Sequence, residues 1–236
     1  MTEDFRDLHA INNLKGVGPK STQSLHNLGI FSISDAAFHL PFRYEDRSFI
    51  TKIGEANYQT PVLIEGEIMK STVVFRGRRM LFSEIYDGTG KLTMRMFNFA
   101  MAQHKALEEG KMIRCFGTIT PGPNGKQMIH PQYQVFEKED SIDIEKNLTP
   151  IYPTTSGLQQ NKLRKIIEDS LDFCDKNNIL KEESRNKHYS EHGNLLETLK
   201  FLHKPPVDTN LNELISGKHP AQQALIKEEL VAHMLC

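Results

Sequence analysis

From Leu92 to Phe99 the chain reads Leu-Thr-Met-Arg-Met-Phe-Asn-Phe. In an extended strand successive side chains point to opposite faces. That alternation gives Leu92, Met94 and Met96 to a core, and Thr93, Arg95, Phe97 and Phe99 to the other face. A guanidinium and two phenyl rings on a partly exposed face suit the stacking of unpaired nucleotides, worth about 1–3 kcal/mol per base. Phe97, with polar neighbours on its face, favours this reading. Phe99 stands at the strand end, and either joins the platform or packs beneath the helix that follows. Upstream, Arg76, Arg78 and Arg79 surround Gly77 at the expected tip between two strands. Arginine forks onto phosphate and also stacks on bases, so this tip reads as a phosphate contact. Lys126, on another expected loop, could add to it.

Other patterns carry less. His188-Tyr189-Ser190-Glu191-His192 matches H-x-x-E-H, which on a helix sets two histidines on one face. Gly193 follows at once, and the stretch lacks apolar periodicity, so a metal-dependent hydrolase is the minor reading. Gly16-Val17-Gly18-Pro19-Lys20 is not a P-loop, because Pro19 removes an N–H that the loop needs. It fits the turn of a helix–hairpin–helix element, whose glycine N–H groups can meet a phosphate, and equally a purely structural turn. No Cys-x-x-Cys pair and no convincing nucleophile–base pair is evident.

These side chains need elements to hold them. Residues 1–50 read as helical, with Pro19 at a helix start, Gly29 at its end, and Ser32 capping a second helix through Asp35. Residues 51–140 read as strands: 61–75, 80–86, 91–99, then a short helix over 100–110, then 111–120 and 126–136. Three strands, a helix and two strands are the order of a five-stranded OB-fold barrel, whose loops flank an oligonucleotide-binding face. Residues 141–160, with LTPIYPTT, read as an extended linker. Residues 161–236 return to helix, continuing a periodicity through Leu158, Leu163, Ile166, Ile167 and Leu171. The fold class is therefore α+β: a helical N-terminal segment, a central OB-fold-like barrel and C-terminal helices. The last helix, from Pro220, runs to Cys236 without a C-cap signal, so the natural protein is expected to continue.

Composition narrows the function class. The 236 residues carry 29 Lys+Arg against 30 Asp+Glu, which excludes a polycationic tail and requires any acidic partner to meet a local patch. Residues 51–140 hold 12 Lys+Arg against 10 Asp+Glu, the one basic region. Three scattered cysteines argue against a disulfide scaffold and fit a reducing compartment. The acidic, polar start is no signal peptide, and no stretch approaches a membrane span, so a cytoplasmic protein without membrane partners is expected.

The motifs LKGVGPK, LGI and HLPFRYEDRS, then GRRM, DGTGKLTMRMFNF, MIHPQY, LTPIYPTT-GL, LH-PP and GKHPAQ-ALI-EEL-AHML, closely resemble the RecG family in the same order. These are bacterial ATP-dependent DNA helicases acting on branched DNA. The resemblance covers nearly the whole chain. It implies that the barrel is a wedge that splits the arms of forks and Holliday junctions in recombination and repair, and that its aromatic falls on Phe97-Asn98. Some members carry another aromatic where this chain has Met101, and Phe99 or the polarizable Met101 could substitute. The family's motor domains, with their ATP and magnesium sites, have no motif here. The resemblance therefore implies branched DNA and a motor as partners, no cofactor and no ATPase for this stretch. A plain single-strand-binding OB protein is the alternative.

Overall fold

The computed structural model describes residues 9–140, 142–180 and 194–235. The chain forms two compact units, one of residues 1–46 with 146–236 and one of residues 47–145. Strands run in chain order β1 (Arg43–Glu45), β2 (Pro61–Arg76), β3 (Arg78–Tyr86), β4 (Lys91–Met96), β5 (Met112–Thr118), β6 (Thr120–Gly122), β7 (Gly125–Ile129), β8 (Gln132–Phe136) and β9 (Thr149–Ile151). Among the described residues no helix is long and apolar enough to cross a membrane.

The flanking helical segments are not separate domains: they share one core. Ile11, Leu25, Ile30 and Ile33 from the N-terminal segment pack with Leu163, Ile166, Ile167 and Leu171 of the helix Gln160–Lys176 and with Leu196 and Leu199 of the helix Leu195–His203. Ser32 caps the helix Ile33–Phe38: its hydroxyl accepts from the Asp35 N–H, while the Asp35 carboxylate accepts from the Phe31 and Ser32 N–H groups. Gly29 closes the helix Pro19–His26 as its C′ residue: it takes φ +78, its N–H donates to the His26 carbonyl, and the Ile30 N–H donates to the Leu25 carbonyl, both at 3.0 Å. The expected linker is also structured. Thr149, Pro150 and Ile151 form buried β9, antiparallel to β1. Short apolar runs with proline suit a buried two-stranded ribbon as well as a linker, and only the distant partner β1 decides between them. Before the helix Pro19–His26 stands a 3-10 turn, Ile11–Asn13, rather than the first full helix of a helix–hairpin–helix.

A buried polar chain ties the two halves of this unit. Tyr152 and His203 lie 2.9 Å apart through the hydroxyl and Nδ1, and His203 Nε2 is 2.8 Å from the Ala37 carbonyl. A carbonyl only accepts, so Nε2 carries the proton and Nδ1 accepts from the tyrosine hydroxyl. The neutral imidazole is thereby satisfied at both nitrogens. Burial pushes the His203 pKa down to about 4, against a partial opposing pull from the Ala37 carbonyl.

The second unit is a barrel-like sheet of order β6-β7-β4-β3-β2-β5-β8. β2 is its spine, antiparallel to β3 on one side and β5 on the other, while β4 pairs with β7 in parallel. The order of strands and helix is that of an OB barrel. The expected fifth strand is two strands far apart in the sheet order, β7 between β6 and β4 and β8 at the far edge beside β5. His130 at φ +48 and Pro131 separate them, and neither suits a continuous strand. Inside lie Ile64, Ile68, Leu81, Ile85, Leu92, Met94, Met96, Ile113 and Met128. Gly66 is required within β2: a Cβ there would stand 2.7 Å from the Tyr86 carbonyl oxygen and 2.8 Å from Ile85 Cγ2.

Two outcomes follow. Folded His203 resists protonation between pH 6.5 and about 4, while the unfolded chain takes the proton. Stability from this group is present above pH 6.5 and falls as pH drops to about 4. Urea unfolding should show up to about 3 kcal/mol more loss across that window for the native chain than for His203→Gln. Gly66→Ala should destabilise the barrel by about 1–3 kcal/mol, read as a lowered unfolding midpoint with an unchanged m-value.

Candidate nucleic-acid interface

The β2–β3 hairpin outruns its neighbours. β5 pairs with β2 only from Pro61 to Glu67, and β4 pairs with β3 only from Leu81 to Tyr86. Beyond those limits, Val74–Arg76 and Arg78–Met80 form a two-stranded arm closed at Gly77, whose φ of +75 glycine adopts without strain. From Ile68 to Ser83 there is no acidic residue, while Lys70, Arg76, Arg78 and Arg79 are basic.

Directly opposed residues of an antiparallel pair share a face. Val73 with Leu81 and Phe75 with Arg79 therefore continue the core-facing side, and Phe82 with Arg95 marks the outer side. Arg78, adjacent to Arg79, points with the outer set. The Phe97 ring sits half-buried at the end of β4, with the Arg78 guanidinium 3.9 Å from its centroid and the Arg95 guanidinium at 4.8 Å. The His130 ring stands 5.4 Å away, and its Nε2 accepts a hydrogen bond from the Phe97 N–H at 3.3 Å. The His130 N–H donates in turn to the Arg95 carbonyl at 2.9 Å, so the bend after β7 braces the end of β4.

Phe99 does not share this face. β4 ends at Met96 and a bend over Phe97 and Asn98 breaks the alternation. Phe99 packs against the barrel core under the Arg79 guanidinium, 4.8 Å from the ring centroid. Arg79 also donates to the Met101 sulfur at 3.1 Å. Met101, at the start of the helix Met101–Ala106, is half exposed beside this second pairing. The expected single platform of two phenyl rings is thus two guanidinium–aromatic pairings, Arg78 and Arg95 with Phe97, and Arg79 with Phe99.

Lys126 has another occupation. It lies on β7 rather than a loop tip, and its ammonium donates to the Ile53 and Gly54 carbonyls at 2.6 and 3.0 Å. The same segment is held from the turn after β3. The Asp87 carboxylate accepts from the N–H groups of Ile53, Thr89 and Gly90 and from the Thr89 hydroxyl. Desolvation by itself would raise the Asp87 pKa, but these bonds outweigh it and hold the carboxyl below its ordinary range. Lys126 is thus a brace of the barrel. The Arg76 side chain and the His188-Glu191-His192 pattern lie outside the described residues. Among the described residues, no group of three or more His, Cys, Asp or Glu is placed to hold a metal ion.

The cations of the barrel differ in what they meet. Lys91, Lys111, Lys138 and Arg114 are each paired with a glutamate, and Arg114 reaches Glu65 at 2.6 Å. Arg78, Arg79 and Arg95 have no carboxylate partner among the described residues. Arg95 donates only to the soft sulfur of Met80, at 3.3 Å, and its buried Nε has no partner. Ring faces and thioethers orient these cations without neutralising them. Two residues here escape a reading of the sequence. His130 gives no periodic signal, since its role depends on a parallel pairing. Phe75 could have been noticed as an aromatic beside the arginine cluster; it is 75% exposed.

Comparison with known proteins places this geometry. Residues 10–174 match the family described as the RecG wedge domain. The chain is 40% identical over 238 residues to the ATP-dependent DNA helicase RecG of Haemophilus influenzae, covering all of this chain and 34% of that protein. It is 39% identical over 236 residues to the same helicase of Escherichia coli O157:H7, again covering 34% of it. The chain thus spans about a third of the length of these relatives. A solved structure of RecG bound to a three-way DNA junction superposes with a TM-score of 0.70 at 25% identity, covering 87% of this chain and 28% of that one. With its sheet order, its projecting arm and a match running through both units, the chain belongs to the RecG wedge domain family.

Proposed function

We propose that this chain recognises branched DNA and acts as the strand-separating wedge of a RecG-type helicase. The observation that carries this reading is the half-buried Phe97 ring with the Arg78 and Arg95 guanidiniums 3.9 and 4.8 Å from its centroid, two cations without carboxylate partners among the described residues. Phosphates supply the missing negative charge. The ring covers the last intact pair or a displaced base. A base–aromatic stack of about 1–3 kcal/mol offsets the roughly 1.4 kcal/mol of stacking lost at one opened step. Phosphate and stacking contacts read no base edges, so sequence preference is weak.

In this reading the motor lies elsewhere in the longer protein and drives duplex toward the wedge. ATP and magnesium belong to that motor, and this chain needs no cofactor. It binds forks and Holliday junctions without hydrolysing ATP; DNA-stimulated turnover by the purified 236-residue chain would contradict this.

A competition between a three-way fork, linear duplex and single strand at fixed salt tests the reading, and the fork should win. Preference for the single strand would favour a plain OB-type binder. Phe97→Ala should weaken fork binding by about 1–3 kcal/mol and leave linear duplex nearly unchanged. Equal losses on both would remove the ring from the branch point. Arg78→Gln and Arg79→Gln should each reduce the slope of log K against log salt by about 0.7–0.9. An unchanged slope would take them out of the phosphate set.

A further inference from the structure

We propose that Phe75 is a second base-stacking residue, on the opposite side of the β2–β3 arm from Phe97, so that each strand leaving a branch point meets its own ring. This rests on the wedge reading above and extends it to a residue outside the Phe97 site.

Consecutive residues of a strand face opposite ways. Arg78 turns to Phe97, and Arg79 turns to Phe99 and Met101. Phe75 is the cross-strand partner of Arg79 and shares its face. The Arg79 guanidinium lies over Phe99, and no described guanidinium covers the Phe75 ring, which is 75% exposed. Among the described residues it is the most exposed of the large hydrophobic side chains, and it sits at the tip of an arm with no acid from Ile68 to Ser83. A large apolar ring open to water beside this much positive charge suits a partner that is both flat and anionic. An unpaired nucleotide is both. Its base takes the ring and its phosphate takes Arg79, while Met101, half exposed, forms a soft edge. On the other side of the arm Arg78 meets Phe97, at the end of β4. The arm is only two strands wide beyond Met80, narrow enough for a different strand to pass on each of its faces.

The test uses this chain and a three-way DNA junction, with a single abasic residue at the first unpaired position of one strand or the other. Phe75→Ala should weaken binding to the intact junction about tenfold, the size of one lost stack. Phe75→Tyr should retain it, and Phe75→Leu should behave like the alanine variant. Because the ring is exposed, unfolding midpoints should be unchanged. An abasic residue in one strand should abolish the Phe75→Ala loss, and an abasic residue in the other should abolish the Phe97→Ala loss. The proposal is overturned if Phe75→Ala binds like the native chain, if leucine restores binding, or if both losses vanish with the same abasic strand. If Phe97→Ala loses nothing on any junction while Phe75→Ala still does, the Phe97 wedge reading fails instead.

Discussion

Positive charge without a counterion organises this protein. Arginine in a folded domain ordinarily ends on a carboxylate, as Arg114 does on Glu65. Arg78, Arg79 and Arg95 instead end on ring faces and thioether sulfurs. A cation over a ring gains about 0.5–2 kcal/mol, enough to fix its direction and too little to satisfy its charge. The site is therefore oriented in advance and still electrostatically open. A glutamate within reach would have lowered the energy of the free protein and closed the site to phosphate.

The barrel supplies the rigidity that such a site needs. β2 runs for 16 residues because its first half is buried between β3 and β5, and that burial anchors a second half with only one partner. Braces at the base are local and polar. Asp87 gathers the N–H groups of Ile53, Thr89 and Gly90, and Lys126 holds the carbonyls of Ile53 and Gly54. His130 takes a left-handed backbone conformation unfavourable for a side-chain-bearing residue. It gains hydrogen bonds that fix both Arg95 and Phe97 at the end of β4.

The helical unit solves a different problem. Its two segments are separated in sequence by the whole barrel, so closing it costs loop entropy that local helix propensity cannot offset. A shared apolar core offsets it, and the buried Tyr152–His203–Ala37 chain adds direction. Because that chain holds His203 neutral, the union of the two segments is coupled to proton concentration.

Much of this was legible in the sequence. Alternation through Leu92, Met94 and Met96 gives the core side of β4. The hairpin tip follows from glycine among arginines, and the Ser32–Asp35 cap from spacing. All are set by neighbours a few residues apart, where backbone geometry is fixed by the chain itself. Tertiary structure decided the rest. Phe99 left the face it shares on paper because β4 stops at Met96. Lys126 turned inward because two carbonyls from a remote loop lay within its reach. One apparent strand became two, and an apparent linker became a buried strand, because their partners lie far away along the chain. Local pattern determines which way a side chain points while its strand lasts; where the strand ends, and what waits there, is set by contacts that no local pattern contains.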